Sequence, residues 1–206
     1  MSNEVIVGDY RLRVEFDEIS AMDDSPRDWD NLGTFITWDR GYNSPDKNEF
    51  DSPEDFLEWW NEFSFDGVML PVFKFEHSGV KYSTRPFSDP WDSGQVGFIY
   101  ALGETLEFNG FYPTDKERAA EVLRSEVDTY SQWANGEVYY FNLERKVLHE
   151  CGCDNCDYDG WDRIEACGGF IGGIHLDELS NQGVPHEVIE AASKLYGVLD
   201  TRVSSK

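Results

Sequence analysis

A chain of 206 residues has room for one domain with a substantial core, so a single domain over residues 1–206 is the expected organisation. Apolar residues make up 40% and aromatics 15%, with seven Trp, which excludes a disordered chain despite a mean hydropathy of −0.55. The 41 acidic against 17 basic residues leave a net charge of −24, a negative field that opposes direct binding to nucleic acid or to an anionic membrane.

In chain order, "DYRLRVEF" sets Tyr10, Leu12, Val14 and Phe16 against Arg11, Arg13 and Glu15, the period of a strand with one buried face. "GTFITW" (33–38) reads as a second strand. "SPEDFLEWWNEF" reads as a helix: Ser52 caps, Pro53 suits the first position, and Phe56, Leu57, Trp60 and Phe63 form the apolar stripe. "VMLPVFKFE" (68–76) and "VKYST" flank "HSG", a hairpin in which Gly79 is expected to supply a positive φ, while Pro71 predicts an edge or a bulge. "QVGFIYA" (95–101) is another strand. In "TDKERAAEVLRSEVDTYSQWANG", Thr114 and Glu117 suggest a capping box, Ala119, Leu123, Val127, Tyr130 and Ala134 share a face, and Gly136 stops the helix. "EVYYFNLERKVLH" (137–149) is a strand, and "PHEVIEAASKLYG" a closing helix. The predicted class is α+β: a mainly antiparallel sheet with two or three helices packed on one side.

Several blocks occur together: "SPRDWDNLGT" (25–34), "YNSPDK" (42–47), "HSGVKYSTRPFSDPWDSGQVGFIY" (77–100), "LRSEVDTYSQWANGEVYYF" (123–141) and "IEACGGFIGG" (164–173). On these the chain resembles a family of small acidic bacteriophage and mobile-element proteins with a W-D-S-G-Q-V-G core. The resemblance covers residues 25–173 and leaves 174–206 as a helical extension. It departs from the pattern at Asp39, where a His is expected, and after Cys167, where a Trp is expected. It implies a phage accessory protein acting in the host cytoplasm, with a host-directed or anti-defence role. The lack of a leader-like start and of any apolar stretch of about 20 residues agrees with that compartment.

Three groups of residues could carry function. In "PFSDPWDSGQ", Asp92 or Ser93 could act with His77 and Ser83 from the hairpin, the basis of an alternative reading as a small hydrolase or nucleotide-processing enzyme. The block fits neither a G-x-S-x-G elbow nor a phosphate loop. The reading adopted is a structural corner, in which Asp92 and Ser93 cap the turn, Trp91 plugs the core edge and Gln95 ties the corner.

Cys153 and Cys156 have zinc-ligand spacing, and His149, Cys151 or Cys167 could complete the set; free thiols are the competing reading. A zinc there would staple a loop. "NCDYDG" imitates a calcium loop but has Ala166 where the bidentate Glu belongs.

The third group is a charge run. From Asn48 to Phe73 there is no Lys or Arg, and Glu54, Glu58 and Glu62 repeat at i, i+4 beside Asp55. Such spacing costs a helix a few tenths of a kcal/mol per pair. A solvated face, salt adaptation and imitation of DNA phosphates all accommodate the acidity. The pattern is expected to form a ridge that docks on a basic host protein, a DNA-binding one if the carboxylates imitate phosphates, and not on nucleic acid.

Overall fold

The computed structural model describes residues 4–64, 66–149 and 158–195. The protein is α+β, with two antiparallel four-stranded sheets, and the chain forms two compact units, Met1–Asp24 with Gly136–Lys206, and Ser25–Asn135.

The first unit contains strands β1 (Glu4–Val7) and β2 (Tyr10–Phe16), helix α1 (Glu18–Asp23), and later elements of the chain, numbered below in order. The second contains β3 (Thr34–Thr37), α2 (Pro53–Phe63), β4 (Val68–Glu76), β5 (Val80–Ser83), β6 (Ser93–Ala101), α3 (Gly103–Phe108) and α4 (Lys116–Ala134). The chain then returns to the first unit with β7 (Val138–His149), β8 (Tyr158–Ile171), α5 (Leu176–Asn181) and α6 (His186–Leu195).

In the first unit the strand order is β1-β2-β7-β8. Leu12 and Val14 alternate into a core with Val5, Phe141 and Leu143, and α5 and α6 cover that face with Leu179, Val188 and Ala192. Phe16 ends the same stripe but stays exposed, stacked on Tyr139 at 5.0 Å. On the other face Glu144 is buried between Arg11 (Nε to Oε2, 2.5 Å) and Arg13 (Nη2 to Oε1, 2.9 Å), and Arg11 lies 4.6 Å over the Trp161 ring. Burial pushes the Glu144 carboxyl up, but the two guanidiniums outweigh this and hold it below its ordinary value.

In the second unit the order is β3-β6-β4-β5. Successive strand residues face opposite ways, so Phe35 and Ile99 enter one cluster with Leu123 and Val127 of α4. Their neighbours Ile36 and Phe98 enter another with Phe56 of α2. Helices therefore cover both faces of this sheet, because its central strands are apolar on both. Phe63, the last member of the predicted α2 stripe, is exposed.

Local signals are realised unevenly. Ser52 Oγ accepts from Asp55 N at 3.1 Å and Pro53 opens α2, as the sequence predicts. Pro71 pairs with Phe98 where β5, which meets only Phe73–Glu76, leaves β4 unpaired on its other side, and a bulge follows at Val72/Phe73. The expected capping box of α4 does not form: the helix starts at Lys116, and Asp115 spends its carboxylate on Tyr112 N at 3.0 Å. Gly136, with φ 73°, stops α4 as expected, whereas Gly79 has no positive φ; its missing side chain makes room for Asn135.

A buried ion cluster ties this unit together. Arg27, whose side chain is 4% exposed, grips Asp46 with Nε (3.0 Å) and Nη2 (2.7 Å), reaches Glu126 with Nη1 (3.1 Å) and donates to Gly33 O at 2.5 Å. Asp46 in turn accepts from Phe35 N, and Glu126 from Leu32 N and Gly33 N. Three of the recognised sequence blocks each supply one member of this clamp.

Candidate functional site

The Asp89–Gln95 corner is organised by Asp89. Its Oδ1 accepts from Trp91 N (2.9 Å) and Asp92 N (3.3 Å), and its carbonyl accepts from Ser93 Oγ. Ser93 is thus committed to its own turn. Asp92 is free to meet the hairpin, where its Oδ2 lies 2.9 Å from His77 Nδ1, and its carbonyl accepts from Glu76 N at 2.9 Å. Ser83 Oγ accepts from Arg85 N. The structure joins His77 to Asp92, while the Ser93 hydroxyl bonds to Asp89 O, and among the described residues no hydrogen bond joins it to either of them. Trp91 does not plug the core: it is 92% exposed. The Gln95 side chain makes a long contact to Gly97 O, 3.4 Å, and among the described residues no other hydrogen bond ties it to the corner.

Gly97 is the residue of the block that packing demands. A Cβ there would collide with Ile36 O and lie 2.8 Å from Thr37 Cα, so glycine lets β3 approach β6; at Gly94 a Cβ would meet nothing. Beside these strands a cleft of about 630 Å³ is lined by Trp38, Asp39, Arg40, Leu57, Gln95 and Phe98, among others. None of His77, Asp92 and Ser93 lines it.

A group next to the corner has little signature in the sequence. Lys74, on β4 opposite Gly94, is only 6% exposed and holds Asp39 (2.5 Å) and Glu76 (2.6 Å), with its Nζ 3.6 Å from the Tyr42 ring centroid. Tyr42 OH donates to Glu76 at 2.5 Å. Burial lowers the Lys74 pKa, and hydrogen bonds to Asp39 and Glu76 overcome this and raise it, so the ammonium stays charged. Asp39 thereby has a structural task of its own. The only sequence signal was one lysine in an otherwise apolar stretch of strand.

The metal candidates divide. Cys151, Cys153 and Cys156 lie outside the described residues, as do Asn155 and Asp157 of the calcium-like loop. His149 pairs with Tyr158 at the end of the β7–β8 hairpin, whereas Cys167 pairs with Phe141. Eight residues of strand at about 3.3 Å each separate those positions, so Cys167 cannot share a tetrahedral ion with His149. Cys167 packs against the core of the first unit instead, and Asp159 pairs with Lys146 at 2.6 Å. No group of three metal-ligating side chains occurs among the described residues.

Glu54, Asp55, Glu58 and Glu62 are all exposed on α2, and no cation pairs with any of them among the described residues. Lys47 is engaged with Glu49 at 2.6 Å and Lys116 with Asp66 at 3.4 Å. The helix presents Glu54, Glu58 and Glu62 at about 6 Å intervals along its axis. Fold and surface together define an α+β protein with a cation-free acidic helix; among the described residues no helix is long and apolar enough to cross a membrane. No protein-family model matches the chain, and neither does any curated protein or solved structure.

Proposed function

We propose that this chain is a phage-type accessory protein of the host cytoplasm that acts without catalysis, by docking the acidic face of α2 on a basic host protein. The observation that carries this reading is the set of exposed carboxylates Glu54, Asp55, Glu58 and Glu62, which no cation among the described residues pairs with. Glu54 and Asp55 gain from the helix dipole, but Glu58 and Glu62 lie beyond its first turn and oppose helix stability. A basic groove would turn that cost into attraction. A host protein that reads DNA phosphates has such a groove, and the ridge would occupy it in place of DNA. The commitment of Ser93 to its turn supports a binding role over a serine-based hydrolase.

The test is a pull-down from bacterial lysate with immobilised wild-type protein and with the Glu54→Lys, Glu58→Lys, Glu62→Lys variant. The reading expects a basic, DNA-binding protein retained by the wild type at low salt, lost at high salt and absent from the variant. Equal retention by both proteins contradicts it.

A further inference from the structure

A second surface, in the first unit, has a different chemistry. Helix α1 buries none of its residues and displays Ile19 and Met22 outward, 76% and 82% exposed, beside the exposed ring of Phe16. It is nevertheless held in place. Asp17 caps it, accepting from Ser20 N at 3.1 Å, and its other oxygen accepts from Gly169 N at 2.9 Å on β8. Burial pushes the Asp17 pKa up, but these bonds outweigh that and hold it below its ordinary value, so the cap stays ionised. Gly168 leaves room for that carboxylate, since a Cβ there would collide with Asp17 Oδ2. Glycines of the "ACGG" block thus let a cap double as an anchor.

Beneath α1 lies a groove of about 470 Å³ whose described lining includes Phe16, Ile19, Tyr140, Ala166 and Cys167 and no lysine or arginine. Asp17 and the exposed Glu18 also line it, and Asp23 and Asp24 stand exposed at the other end of α1, about 8 Å further along the helix. An apolar groove with a carboxylate at its edge, no lysine or arginine in its described lining and further carboxylates along the same helix complements one kind of partner. We propose that the α1 groove docks a basic amphipathic segment of a partner protein, one apolar side chain entering the groove and its lysines or arginines meeting Glu18, Asp23 and Asp24. This surface is separate from the acidic face of α2, and the proposal does not depend on that reading.

The test titrates the protein with a fluorescent amphipathic helical peptide of leucine and lysine, and with a leucine-free oligolysine of equal length. Ile19→Ser with Met22→Ser removes apolar contact without changing charge, and neither position contributes to the core. The double variant is expected to bind the leucine–lysine peptide about tenfold more weakly and oligolysine unchanged, since each buried side chain contributes of the order of a tenfold effect. On the wild type, that peptide should slow alkylation of Cys167, mapped by mass spectrometry, whereas oligolysine should not. The Glu54→Lys, Glu58→Lys, Glu62→Lys variant should keep the preference for leucine. Equal affinity of the double variant, unchanged Cys167 reactivity, or loss of the preference on the α2 variant overturns the proposal. So would a wild-type dimer that Ile19→Ser, Met22→Ser makes monomeric, which would assign the patch to a second copy of this chain.

Discussion

Arg27 and Asp46 form a two-bond fork, 3.0 and 2.7 Å, that fixes the segment before β3 to the one after it. Removing the guanidinium leaves Asp46 and Glu126 without their counter-charge in a largely buried place. Arg27→Ala should cost about 3–5 kcal/mol in urea unfolding followed by circular dichroism, and Arg27→Lys less, because charge remains while the fork is lost. A loss below about 1 kcal/mol for Arg27→Ala would contradict a structural role for the clamp.

Gly97 and Gly94 belong to one sequence block but differ in what surrounds them. Gly97→Ala must push β3 away from β6 and should destabilise by about 1–3 kcal/mol, whereas Gly94→Ala should stay within about 0.5 kcal/mol. Thermal unfolding of the two variants decides this. Equal effects would mean that the close approach at Ile36 is not what Gly97 provides.

Much of the fold was legible because its strands and long helices advertise a period. β2 and β4 follow their alternation, and α2 and α4 follow their apolar stripes. β8 was not legible: bulges interrupt its pairing, and Gly160, Gly168 and Gly169 erase the alternation. α1, α3 and α5 have six residues each, too few to show a helical period. The acidic face of α2 could be read directly, since exposure follows from the stripe opposite it. Partnerships across the sequence could not: Lys74 with Asp39, Arg27 with Glu126, and the replacement of Asp92 by Asp89 as the organiser of the corner all depend on tertiary placement.

Asp17 and Glu144 have pKa values lowered on folding, so their contribution to stability is present above the ordinary carboxylate range, about pH 4, and is lost as pH falls through the folded-state values. Glu126 has the opposite sign: burial raises its pKa despite Arg27, so its ionisation opposes folding and protonation relieves that as pH falls. Urea midpoints of wild type and Glu144→Gln, measured from pH 6 to pH 3, should converge as acid removes the charge that Arg11 and Arg13 hold. A constant gap across that range would contradict the assignment.

The docking of α2 on a basic partner is tested most directly by stopped-flow association with the basic protein that the wild type retains from lysate. Attraction between exposed charges is screened over about 10 Å at 0.1 M salt, so wild-type association should slow steeply as salt rises. Glu54→Lys, Glu58→Lys, Glu62→Lys should associate at least about tenfold more slowly at low salt with its fold intact, since each change lies on an exposed face of α2. A variant that binds as fast and as tightly as wild type, with no salt dependence in either, would contradict the claim.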